Sequence, residues 1–169
     1  MGSWLALLLS ALAVRSPADV AVERRIDALL RQMTLEEKIG QLTQFARGQL
    51  TGPAAGNAPE ERQKELIRAG RIGSLIAGGP AERLDELQRI AVEQSRLHIP
   101  LLFGFDVVHG CHTTFPAPLA EAASFDLAII ERTAAAAAQE AAAAGVRWTF
   151  APMVDIGRDA RWGRVVEGA

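Results

Sequence analysis

Three short apolar runs, at residues 72–77, 101–108 and 148–154, alternate with stretches whose apolar residues recur at helical spacing, and this alternation constrains the fold more than any other feature. An apolar run of four to eight residues bounded by turn formers is the pattern of a buried strand. Gly78-Gly79-Pro80 closes the first run, and Leu84, Leu87, Ile90 and Ala91 then mark a helix over 81–97. Pro100 ends that helix and opens the second run. Asp126 heads a long alanine-rich helix reaching Ala144, Gly145 terminates it, and the third run follows. Strand, helix, strand is the parallel βαβ unit. At 169 residues the chain suits one structural unit of α/β class. Three strands alternating with helices fit either the start of a (β/α)8 barrel or an open doubly wound sheet, and periodicity does not choose.

Upstream, Ile26, Leu29, Leu30 and Met33 form one apolar helical stripe beginning near Val22. Thr34-Leu35-Glu36-Glu37 reads as a capping box that starts a second helix, with Ile39, Leu42 and Phe45 expected to face inward before Gly48. Gly52-Pro53 and Gly56-Asn57 mark an irregular loop, and residues 60–69 a short helix ended by Gly70. Residues 1–21 are expected to be a signal peptide and linker, because Trp4 to Leu12 is apolar and Ala11-Leu12-Ala13 has the small-x-small form of a cleavage site. No Lys or Arg precedes that run, so the amino terminus alone supplies its positive flank. The run is too short to span a bilayer, which takes roughly 20 residues. The expected location is periplasmic or secreted, with residues 22–169 forming the domain.

A net charge of −2 and a pI near 5.9 give no electrostatic footprint for nucleic acid. Cys111 is the sole cysteine, which excludes an intrachain disulfide and a thiolate zinc cluster. The glycines at 78 and 79 lack the G-x-G-x-x-G order, which argues against a dinucleotide site. No cofactor is expected.

In parallel α/β architectures the loops after the strands carry function. Phe105-Asp106-Val107-Val108-His109-Gly110 puts a carboxylate among apolar residues at the end of the second run, either bracing a loop or facing a cleft. After the third run, 155–164 packs Arg158, Arg161 and Arg164 with Asp155, Asp159 and Trp162 into ten residues. Forked arginines donate to vicinal hydroxyls, carboxylates accept from them, and an indole lies against the C–H face of a pyranose, so this density suits a sugar. A self-satisfied Arg/Asp network fixing the loop is the alternative. Asp106, His109 and His112 also make a D-x-x-H-x-x-H spacing compatible with a metal, although it begins on a strand and passes through Gly110.

Three segments together resemble the N-terminal domain of glycoside hydrolase family 3. They are Met33-Thr34-Leu35-Glu36-Glu37-Lys38-Ile39-Gly40-Gln41-Leu42, Gly104-Phe105-Asp106-Val107-Val108-His109-Gly110 with Phe115-Pro116, and the stretch from Ala151-Pro152-Met153-Val154-Asp155 to Arg161-Trp162-Gly163-Arg164. Ala160 stands where the family usually has Pro, and Cys111-His112 fall where it varies. The resemblance implies the first part of a (β/α)8 barrel, incomplete in this chain. It also implies a retaining β-glucosidase or β-glycosidase acting on terminal β-linked sugars of a glucoside or oligosaccharide.

By that resemblance Asp106 matches the carboxylate holding hydroxyls of the non-reducing-end sugar and Arg164 a sugar-binding arginine, with Arg161 the neighbouring candidate. Trp162 is read as loop packing first and sugar platform second. The family's nucleophilic Asp, its preceding Lys-His pair and its acid/base Glu have no counterpart here and are expected downstream. Retention needs two carboxylates about 5 to 5.5 Å apart across the bond. The 169 residues alone are therefore expected to be inactive, with a non-catalytic sugar-binding or scaffold role as the alternative.

Overall fold

The computed structural model describes residues 17–46, 60–76 and 80–168. Residues 1–16 of the expected leader and linker, the loop at 52–57 and the glycines at 78 and 79 lie outside these residues. Helix α1 (Pro17–Gln32) leads into α2 (Leu35–Gln41), and four parallel strands follow: β1 (Gln44–Ala46), β2 (Ser74–Ile76), β3 (Leu102–Phe105) and β4 (Trp148–Thr149). Helix α3 (Glu60–Arg68) lies between β1 and β2. Helix α4 (Ala81–Arg89), extended by a π-helical turn (Ile90–Gln94), lies between β2 and β3. Helices α5 (Pro118–Ala122) and α6 (Leu127–Ala143) precede β4, and a 3-10 turn (Val165–Glu167) comes last.

The sheet order is β1-β2-β3-β4, every pair parallel. A doubly wound sheet reverses its strand order at a switch point, whereas a barrel adds strands consecutively in one direction. Four strands in chain order are an arc of a (β/α)8 sheet. Register assigns the two faces, because aligned neighbours share a side and successive residues alternate. Phe45, Leu75 and Phe103 are aligned, and together with Phe105 they pack under the helices. The core there comprises Ile67, Leu84, Leu87, Ile90, Leu101 and Val146 around Leu75, which is only 1% exposed. Burying such a leucine contributes about 1.5–3 kcal/mol. On the other side Leu102, Gly104 and Trp148 are aligned, and Leu102 and Trp148 are both exposed. That side corresponds to the inside of the barrel.

The helix starts and stops follow their local chemistry. Thr34 Oγ1 accepts from the Glu37 amide at 3.2 Å while Glu37 returns a carboxylate oxygen to the Thr34 amide at 2.9 Å, the reciprocal capping box. The same carboxylate takes Arg96 through Nε at 2.9 Å and Nη2 at 2.5 Å, and Arg96 also donates to the Gln32 carbonyl at 2.8 Å. Arg96 first, then the Thr34 amide, overcome partial burial and hold the Glu37 carboxyl down at about 2. Asp126 caps α6 by accepting from Ala128 and Ile129, and Gly145 stops it at φ +91°, in the left-handed region.

Several expectations are corrected. Residues 43–46 do not continue the second helix: α2 stops at Gln41 and β1 begins at Gln44, so the sheet has a first strand ahead of the three read from the sequence. Leu42 and Ile39 point outward, at 89% and 56% exposure, while α2 buries Glu37 and Gly40 instead. The reason is close backbone approach. A Cβ on Gly40 would collide with the Gly70 carbonyl oxygen and lie 2.7 Å from Arg71 Cα, so only the glycine face of α2 seats there. Helix α1 forms but starts at Pro17, inside the stretch read as linker rather than near Val22, and Ile26 and Leu30 of its stripe remain exposed. The third run is a strand for only two residues: the Ala151 amide turns to Thr149 Oγ1 at 3.1 Å, and Pro152 after it has no amide to give a ladder.

Candidate active-site face

The strand alternation places Asp106. Phe103, Phe105 and Val107 all join the core under the helices, so Asp106 between the last two sits on the opposite, inner side just past the end of β3. It is exposed. Val107, 8% exposed, anchors the chain immediately after it. Beyond it Gly110, at φ +117°, turns the chain sharply. The turn is closed by the Phe115 amide donating to the His109 carbonyl at 2.8 Å. His109 is exposed on this loop.

The loop after β4 folds back on itself. Met153 bridges Gly168, and the chain between them is pinned at Gly157, where a Cβ would come within 2.7 Å of Val165 Cγ2 and 3.7 Å of the Trp162 ring. Trp162 is half-buried against this pinch and acts as loop packing. The arginines divide. Arg161 grips its near neighbour Asp159 through Nε at 2.9 Å and Nη2 at 2.6 Å, with its side chain 91% exposed. Arg164 grips Glu167 through Nε at 3.0 Å and Nη2 at 2.6 Å. It also lies in the fields of Asp106 and Asp155, so Glu167 first, and these two carboxylates after it, hold the guanidinium above its usual range. Arg164, in the loop after β4, thus lies within the field of Asp106 but is paired with Glu167, while Arg161 belongs to a separate local ion pair.

The Arg161–Asp159 pair has the form of the self-satisfied Arg/Asp network considered from the sequence, whereas the Arg164–Glu167 pair was not read there. Each pair is screened by solvent and contributes little, so a ligand hydroxyl or carboxylate competes for the same donors at small cost. Among the described residues no three His, Cys, Asp or Glu side chains converge as metal ligands, and the Asp106/His109/His112 spacing does not close into a site. His112 instead uses its backbone amide, which donates to Glu140. A strongly charged crevice lies on the outer helical layer between α3 and α4. There Lys64 is matched by Glu60 and Glu61, both at 3.2 Å, and by Glu86 at 2.6 Å, a self-compensated brace. No described helix is long and apolar enough to cross a membrane.

Known proteins share both the sequence and this geometry. Residues 34–168 match the family described as the glycosyl hydrolase family 3 N terminal domain. A periplasmic β-glucosidase of Salmonella typhimurium is 41% identical over 140 residues, covering 83% of this chain and 17% of that protein. A β-xylosidase of Formosa agariphila is 27% identical over 154 residues, covering 90% and 16%. The crystal structure of a β-glucosidase from Listeria innocua in complex with glucose superposes with a TM-score of 0.71 at 37% identity, covering 85% of this chain and 21% of that one. This chain therefore spans about a fifth of the length of the relatives it matches.

Proposed function

The chain belongs to glycosyl hydrolase family 3, whose N-terminal domain it matches over most of its length, and from that premise we propose that it is part of a retaining β-glucosidase. In this reading the chain contributes the first strands of the catalytic barrel and part of the subsite for the terminal sugar. Asp106 accepts hydrogen bonds from hydroxyls of that sugar and Arg164 donates to them, with Arg161 in reserve at the rim. What supports the reading is that Asp106, just past the end of β3, lies on the side where barrel enzymes bind substrate, and that Arg164, in the loop after β4, feels its charge.

The chemistry follows from what these residues are. Neither is placed to attack a glycosidic carbon: Arg164 cannot lose its proton at working pH, and Asp106 is assigned to hold hydroxyls. Their contribution is differential binding, with hydrogen bonds that tighten as the ring flattens towards an oxocarbenium ion. The nucleophile and acid/base are contributed by segments outside this chain. Glucose bound to the Listeria innocua relative supports a β-glucoside substrate, and the β-xylosidase relative makes a pentoside the nearest competitor. The periplasmic relative and the apolar N-terminal run support export, with residues 22–169 as part of the barrel domain.

Two assays test this. The 169-residue chain alone should show no turnover of an aryl β-glucoside. The protein carrying it together with the rest of the catalytic region should release β-glucose first, as seen by proton NMR of the anomeric signal. Release of the α-anomer first, or enzyme-level turnover by the chain alone, would contradict the reading.

A further inference from the structure

We propose that Glu140 is a positioning residue for sugar binding: from α6 its carboxylate clamps the loop after β3 and so fixes the backbone on which Asp106 and His109 stand. The proposal rests on the site reading above and adds a residue outside that site.

The geometry is specific. Glu140 Oε2 accepts from the backbone amides of His112 and Thr113, both at 2.8 Å, and Oε1 accepts from the Thr113 hydroxyl at 2.6 Å. All three bonds run to one loop, from a helix 27 and 28 residues further along the chain. Charge-assisted bonds of this kind are short and directional. Glu140 is also held rigidly. Its neighbours Ala137 and Ala141 are buried, so α6 cannot roll without disturbing the layer beneath.

The loop transmits what Glu140 holds. Gly110 bridges both Val108 and Thr114, and a Cβ at Gly110 would collide with the Thr113 carbonyl oxygen and lie 3.0 Å from its carbon. Residues 108–115 therefore move as one tight unit. One end of that unit is fixed by Val107 in the core, next to Asp106, and the other by Glu140. Freeing the second end leaves His109 on a loop held only through Val107, with Asp106 immediately on the other side of that single tether. Burial first, and the nearby Glu140 carboxylate after it, push the Cys111 thiol above its usual range.

The test is a double-mutant cycle in the full-length enzyme with an aryl β-glucoside. Glu140→Ala should lower kcat/KM by about 10- to 100-fold, the scale of a small misplacement of a binding group. Glu140→Gln should restore it to within about threefold of wild type, because the amide oxygen still accepts both backbone N–H groups and the NH2 donates to the Thr113 hydroxyl. In an Asp106→Ala background Glu140→Ala should cost less than about threefold, since the residue it positions is gone. Amide exchange at His112 and Thr113 should rise in Glu140→Ala and stay slow in Glu140→Gln, with Leu75 and Phe103 unchanged. Wild-type kinetics for Glu140→Ala, or a full multiplicative loss on top of a damaging Asp106→Ala, would overturn the proposal and leave the site reading intact. Wild-type kinetics for Asp106→Ala would remove the site reading, and this proposal with it.

Discussion

Gly40→Ala sets two effects of opposite sign against each other. Gly40 lies inside α2, where replacing glycine by alanine normally stabilises a helix by about 1 kcal/mol. Here the added methyl would collide with the Gly70 carbonyl oxygen and lie 2.7 Å from Arg71 Cα and 3.0 Å from Arg71 C. Carbon atoms in favourable contact sit about 3.5–4.0 Å apart, so relief requires a shift of roughly an ångström. The obstructing atoms are backbone and cannot swing away. Gly70 is held by its amide on the Ile67 carbonyl and Arg71 by its amide on the Leu66 carbonyl, both at 2.9 Å. Overpacking costs about 1–3 kcal/mol when side chains can adjust, and this case belongs at or beyond the upper end. Subtracting the helix gain leaves a net loss of about 2 kcal/mol. For a cooperative unit of about 150–250 residues that is a fall in Tm of about 4–8 °C. Gly163→Ala is the control, because nothing lies within 4 Å of its methyl. Differential scanning calorimetry of the two variants decides the matter. A Gly40→Ala protein as stable as wild type, or more so, would refute the claim that backbone contact seats α2.

The remaining predictions concern charge and site. Glu37 is depressed from an ordinary 4.5 to about 2 by Arg96 and the Thr34 amide, so its stabilising contribution is full above pH 4.5 and is lost as pH falls towards 2. The Tm difference between wild type and Glu37→Gln should therefore be constant from pH 7 to about 5 and shrink below pH 4.5, and a difference unchanged down to pH 2 would sink that assignment. Arg164→Lys should impair kcat/KM on an aryl β-glucoside by about tenfold or more, because a point charge cannot reproduce a planar fork, whereas Arg161→Lys should stay within about threefold of wild type. The reverse order would make Arg161 the sugar ligand.

The elements most legible in the sequence were those whose chemistry is local. The Thr34 capping box, the Asp126 cap, the Gly70 and Gly145 stops and the runs that became β2 and β3 each depend on residues within a few positions of one another. Strand β1 was missed because Leu42 and Phe45 happen to repeat at helical spacing, and three residues are too few for a strand period to stand against it. Burial of α2 was misassigned for a different reason. Its contact is made by Gly40 against the backbone of Gly70 and Arg71, and a glycine contributes nothing to a hydrophobic stripe. Periodicity left the choice between barrel and doubly wound sheet open, since it carries no strand order. Of the site, the identity of Asp106 and the arginine cluster could be read. Glu140 could not: it sits in an alanine-rich helix with no local partner, and its three bonds connect positions 27 and 28 residues apart.

The central claim is that Asp106 faces substrate. The direct measurement is kcat/KM of Asp106→Ala on an aryl β-glucoside, with Tm recorded on the same preparation. Asp106 is exposed beside the buried Val107, so its removal opens no core cavity and Tm should change little, within about 0.5 kcal/mol of stability. Losing charge-assisted bonds to two sugar hydroxyls, at about 1.5–3 kcal/mol each, should lower kcat/KM by about 10²- to 10⁴-fold. Near wild-type kcat/KM would show that Asp106 does not hold the sugar, and a kinetic loss accompanied by a large fall in Tm would show that it braces the loop instead.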